Sequence, residues 1–173
     1  MERNIYTVAE EVIFTDHVNT LAKRTGFGDP DFTEEAHMRL GLLSELGELI
    51  TPYKSYLAYG KVLDKENVIE EIGDLLFYLY ALDDSTAAHL LFDAEEWDKE
   101  ENPFALHKML LGLGTYLSQP IIQKDRVLAL LVVLAYGVGV TLADCMKGNI
   151  EKLAKRYPDG YSDLAAIKRA DKE

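Results

Sequence analysis

The fold class predicted for this 173-residue chain is all-α, most simply a helical bundle. Three observations lead there. Apolar residues recur at helical spacing over several long segments, capping residues stand ahead of those segments, and no alternating apolar–polar run lies between hairpin turns. The length suits one domain spanning residues 1–173, large enough to bury a core and small for two.

Each element has its own signal. Thr7 with Glu10 has the form of a capping box, and Phe14, Val18, Leu21 and Ala22 keep helical spacing until Gly26, which predicts a first helix over residues 8–24. The segment GFGDPD (26–31) is turn-rich. Asp31 with Glu34 repeats the cap pattern ahead of a run that reaches Ile50 or beyond, where Pro52 is expected to end or kink the helix. Residues 60–64 read as a loop, Asp64 as an N-cap, and residues 65–82 as a third helix. A short helix is expected within 85–97, a solvated loop at DKEENP (98–103), and another helix over 104–117. One last long helix is expected from Lys124 to Arg156, wholly apolar at first and amphipathic after Asp144, until YPDGYS (157–162) stops it.

Charge narrows the function. A formal net charge of −12 and a pI near 4.7 argue against a nucleic acid or an anionic membrane as partner, since each needs a basic face. The single cysteine, Cys145, has no partner for an internal disulfide and reads as a buried thiol, and the N-terminal residues lack the pattern of a secretory leader. The apolar run 127–143 is about the shortest that spans a bilayer, but it contains Gly137 and Gly139 and lacks aromatic and basic belts at both ends, so a buried helix is expected. Together these features predict a soluble, cytoplasmic protein.

The chemistry is concentrated in two matching quartets. Glu45-Leu46-Gly47-Glu48 lies in the second helix and Glu71-Ile72-Gly73-Asp74 in the third. Positions i and i+3 share a helix face, so each quartet presents a pair of carboxylates in one direction. Each glycine costs a helix about 0.8–1 kcal/mol relative to Ala, and close helix approach is the compensation expected. If the helices pack antiparallel, four like charges meet near the core, which requires a cation. An all-oxygen set without histidine suits Mg²⁺ or Mn²⁺. Glu70 reads as exposed. The lone Glu34-x-x-His37 lacks the second copy that a di-iron bundle needs, His17, His89 and His107 have no partner at ligand spacing, and Trp97 and the tyrosines give no indication of which would stack on a base.

RLGLLSELGEL, followed by EEIGDLLFYL with 22 residues between Glu48 and Glu71, resembles the E-x-x-E…E-x-x-D pattern of the MazG-like all-α nucleoside triphosphate pyrophosphohydrolases. KGNIEKLAKRYPDGYS is similar to that family's closing N-x-x-K-L-x-x-R-Y-P segment. The resemblance implies a four-helix core and hydrolysis of a nucleoside triphosphate to the monophosphate and pyrophosphate. It also implies Mg²⁺ or Mn²⁺ on Glu45, Glu48, Glu71 and Asp74, and phosphate contacts from Asn149, Lys152 and Arg156. Those three also fall at i, i+3 and i+7 on one helix face. Lys54, about one and a half turns after Glu48, is a further candidate for a phosphate, or simply an exposed lysine. A homo-oligomer, dimer or tetramer, is expected.

The departure from the family pattern is an extra segment around 98–143 that contributes two apolar helices. HKMLLGLGTYL and RVLALLVVLAYG faintly echo the second and third helices with the acids lost, as in a degenerate repeat; otherwise they build an interface or a nucleobase pocket. Narrower relatives, a dUTP or dCTP diphosphatase or a phosphoribosyl-ATP pyrophosphatase, would share the same motifs. From another class, a non-catalytic helical binding or assembly protein is the alternative, and it has no reason to keep four mutually repelling acids.

Overall fold

A computed structural model describes residues 2–21, 33–83, 85, 87, 90–93 and 103–162. Helix α1 (Val8–Leu21) starts at the anticipated capping box: Glu10 N–H donates to Thr7 Oγ1 (3.2 Å) and Thr7 N–H to the Glu10 carboxylate (2.7 Å). The predicted continuation to residue 24 and the turn at 26–31 lie outside the described residues. Helix α2 (Glu34–Tyr59) has Thr33 as its N-cap, with Ala36 N–H donating to Thr33 Oγ1, so the cap is two residues later than Asp31. Helix α3 (Lys65–Leu82) has the predicted bounds, with Asn67 N–H donating to the Asp64 side chain.

Pro52 does not end α2. The helix continues for two more turns to Gly60, whose left-handed backbone (φ 63°) closes it. Pro52 and Tyr53 are both buried, and that burial compensates for the N–H the ring lacks.

Two further expectations change. The described part of 85–97 contains a strand rather than a helix: β2 (Leu91–Asp93) pairs antiparallel with β1 (Glu2–Asn4), Arg3 opposite Phe92. Strands of three residues are too short to show alternation in a sequence. The single helix expected over 124–156 is two, α5 (Lys124–Val138) and α6 (Leu142–Arg156), bent by 88°. Gly139 takes a left-handed φ of 95°, and Thr141 with Asp144 forms a complete capping box that starts a new helix. The apolar run is thereby divided, and among the described residues no single helix is long and apolar enough to cross a membrane.

The described residues are all-α apart from that small ribbon. Helix α3 is its axis: Val68, Ile72, Leu76 and Leu79 are fully buried, and α1, α2, α5 and α6 pack around it. Helices α2 and α3 run antiparallel, since Gly41 meets Tyr78 while Glu45 meets Glu71 and Asp74. Helix α4 (Pro103–Leu117) packs on α2 and α5, with Gly114 against Leu46. Gly73 allows α3 and α6 to approach: a Cβ there would stand 2.7 Å from Cys145 O. Gly47 has no such role, because a Cβ there would meet nothing within 4 Å.

A second polar cluster lies inside the apolar interior. The Glu11 carboxylate, 4% exposed, accepts from the Tyr80 hydroxyl at 2.6 Å and from Ala87 N–H at 2.7 Å, and the Tyr6 hydroxyl bonds to that of Tyr80. Burial, chiefly, raises both phenol pKa values and keeps these hydroxyls protonated as donors. Lys124 lays its ammonium over the Tyr80 ring, 3.5 Å from the centroid, and donates to the carbonyls of Asp83 and Ser85 at 2.6 Å each.

Candidate metal and anion site

Antiparallel packing of α2 on α3 brings the quartets face to face. Glu45, Glu71 and Asp74 each offer a carboxylate oxygen, and these oxygens all lie within 4.8 Å of one another. Of the four predicted acids, Glu48 stands outside this trio: it is exposed, one turn further along α2, at the rim of the adjoining cavity. Its charge still acts on the cluster, adding to the repulsion felt by Glu45 and Glu71.

Burial and mutual repulsion favour the protonated form of the two glutamates. Burial, first, and then a hydrogen bond to Glu45 and the charge of Asp74 push the Glu71 carboxyl up to about 8. Burial and Asp74 also raise Glu45. Glu71 is 4% exposed, and its Oε2 is buried with no hydrogen-bond partner. An unsatisfied buried carboxylate oxygen aligned with two other carboxylates is a donor set that fits a hard divalent ion.

Helix α6 supplies the third side. Asn149 is buried and donates from Nδ2 to Asp74 Oδ1 at 2.7 Å. Lys152 forms an ion pair with Asp74 Oδ2 and another, 3.3 Å long, with Glu70, so Glu70 is half-buried and paired rather than exposed. Asn149 and Arg156 line a cavity of about 310 Å³ that opens on Glu45, Glu48 and Asp74. Glu71 and Lys152 join the site through the acids rather than by lining this cavity, Lys152 facing a separate pocket beside Glu70, and Lys54 is exposed on α2 away from both.

Aromatic residues complete the walls. Phe77, Tyr78, Tyr157 and Tyr161 line the cavity beside His37. A Cβ on Gly41 would stand 2.3 Å from the Tyr78 ring, so this glycine makes the slot in which the tyrosine lies. Burial, then the charges of Glu45 and Asp74, push the Tyr78 hydroxyl up to about 12, and it stays protonated as a donor near the acids. Sequence reasoning passed over Tyr78, although it lies four residues after Asp74 on the same helix face.

Behind the acids, the His17 ring on α1 packs against Phe14 and Phe77 at 6.2 Å. Burial lowers its pKa, opposed by the Asn149 amide. Cys145 is buried, and desolvation pushes its thiol up to about 12, an inert packing group.

No protein-family model, curated protein or solved structure matches this chain.

Proposed function

We propose that the protein is a metal-dependent (deoxy)nucleoside triphosphate pyrophosphohydrolase, releasing monophosphate and pyrophosphate and so acting on the nucleotide pool. The observation that carries this reading is the trio Glu45, Glu71 and Asp74, contributed by two antiparallel helices and containing a buried carboxylate oxygen with no partner. Lys152 compensates Asp74 and a proton compensates Glu71; a divalent cation joining the three carboxylates would take over both roles.

Mg²⁺ or Mn²⁺ held by Glu45, Glu71 and Asp74, with Glu48 at the rim, would supply positive charge to phosphoanhydride oxygens and acidify a water for attack on phosphorus. The chain's own residues do the rest. Arg156 extends into the cavity that adjoins the acids, where a polyphosphate would lie. Lys152, paired with Asp74, would be released toward a phosphate once the acids have another counter-charge. The four aromatic side chains offer faces to a base or sugar.

In this reading α1, α2, α3 and α6 form a MazG-like four-helix core, and the hairpin of α4 and α5 is the inserted part. Support comes from the packing of α1, α2 and α6 on α3, and of α4 on α2 with α5 on α3. A single-base diphosphatase for dUTP or dCTP, or a phosphoribosyl-ATP pyrophosphatase, falls within the same chemistry.

The deciding experiment is product analysis with each common NTP and dNTP and with dUTP, in Mg²⁺, Mn²⁺ or EDTA. Monophosphate and pyrophosphate should appear only with metal, and the fastest substrate identifies the base. Glu71→Gln and Asp74→Asn should each lower turnover by about 100-fold or more while the protein stays folded by circular dichroism. Metal-dependent thermal stabilisation without turnover of any nucleotide would replace this reading with a metal-binding module; the absence of both would leave a helical assembly protein.

A further inference from the structure

We propose that His17 is a positioning residue for the acidic cluster: its Nε2–H donates to Asn149 Oδ1 and thereby holds the amide that orients Asp74. At the junction of α1, α3 and α6, His17 Nε2 and Asn149 Oδ1 are both buried without a well-formed hydrogen bond, although the Asn149 amide is near enough to the ring to oppose the fall in the His17 pKa. One belongs to a group that can donate, the other is an acceptor. Their placement is shared: the His17 ring packs on Phe77, one turn of α3 from Gly73, and Asn149 Cβ lies 3.2 Å from the position of a Gly73 Cβ.

The chemistry sets the direction of the bond. Asp74 Oδ1 is an acceptor, so the amide must turn its Nδ2 to the aspartate, as it does at 2.7 Å. That leaves Oδ1 on the other side, where only a donor satisfies it. A neutral imidazole has one N–H, and the tautomer that satisfies Asn149 carries it on Nε2. Leaving either atom unpaired in the interior costs free energy that a small rotation of the ring recovers.

The consequence is control of Asp74 from a helix that contributes no ligand. With its oxygen held, the Asn149 amide cannot turn, and Asp74 is presented to Glu45 and Glu71 in one orientation. Groups that orient a ligand typically contribute about 10–100-fold to metal affinity. This consequence rests on the metal reading above; the hydrogen bond itself does not.

The test therefore has two readouts. In metal-free, uniformly ¹⁵N-labelled protein, His17 should be the Nε2–H tautomer, and the Asn149 side-chain amide resonances should move in His17→Phe and return in His17→Gln, whose amide nitrogen stands near the position of Nε2. A Nδ1–H tautomer, or an Asn149 amide indifferent to both substitutions, overturns the proposal. In the second readout, titration with Mn²⁺ alone, His17→Phe should bind about 10-fold or more weakly and His17→Gln within a few-fold of wild type. Equal affinity in His17→Phe and wild type overturns the positioning role. If wild-type protein holds no Mn²⁺, the metal reading fails, and the tautomer still decides the hydrogen bond.

Discussion

A carboxyl group buried beside two others holds its proton to unusually high pH, and Glu71 is that group. Its folded pKa of about 8 lies above the ordinary carboxylate value of 4.5. The folded state therefore holds a proton that the unfolded chain has lost, so the group's contribution to stability is complete below about pH 4.5 and disappears as pH rises toward 8. A metal must displace that proton. The rise in Tm produced by Mn²⁺ should accordingly be larger at pH 8 than at pH 6, and thermal melts at the two values check it. Glu71→Gln should melt higher than wild type at pH 8 without metal, and show no Mn²⁺ shift. The quartet glycines separate at the same scale. Gly73→Ala forces a methyl against Cys145 O and should cost about 1–3 kcal/mol, whereas Gly47→Ala meets open space and should add about 0.8–1 kcal/mol of helix propensity. Denaturant titration distinguishes them. The two glycines look alike in the sequence, because what sets them apart is a neighbour 72 positions later, 145 against 73.

Among the elements, those whose start and stop signals are local were legible. Asp64 and the periodicity after it placed α3 to the residue, and Thr7 with Glu10 placed the start of α1. The misjudged elements depend on competition. Pro52 looked like an end because its local cost is plain, while the core that accepts it is not visible in one dimension. Gly139 looked tolerable inside an apolar run, and the Thr141–Asp144 box that turns it into a corner went unweighed. Thr141→Ala removes the side chain that caps Asp144 N–H and should cost about 1 kcal/mol by denaturant titration. Because α6 carries Asn149, Lys152 and Arg156, the corner also sets where the non-acidic half of the site stands.

Across the whole molecule, the acids were legible because i, i+3 spacing guarantees a shared face, and the cavity was not, because Phe77, Tyr78, Tyr157 and Tyr161 come from separate segments and acquire meaning only together. The same holds for the interior polar cluster, which no motif announces. Glu11 accepts from residues 69 and 76 positions away, Tyr80 and Ala87. The α2–α3 hairpin needs only the short connection between Tyr59 and Lys65. Closing the longer loop sacrifices more chain entropy before any contact compensates for it. Loop-closure entropy predicts that the α2–α3 hairpin forms first and that α1, which packs on α3 and α6, docks afterwards. Glu11→Asp, which shortens the reach without removing the charge, should speed unfolding severalfold and leave the refolding rate nearly unchanged in stopped-flow measurements, the signature of a contact made after the barrier.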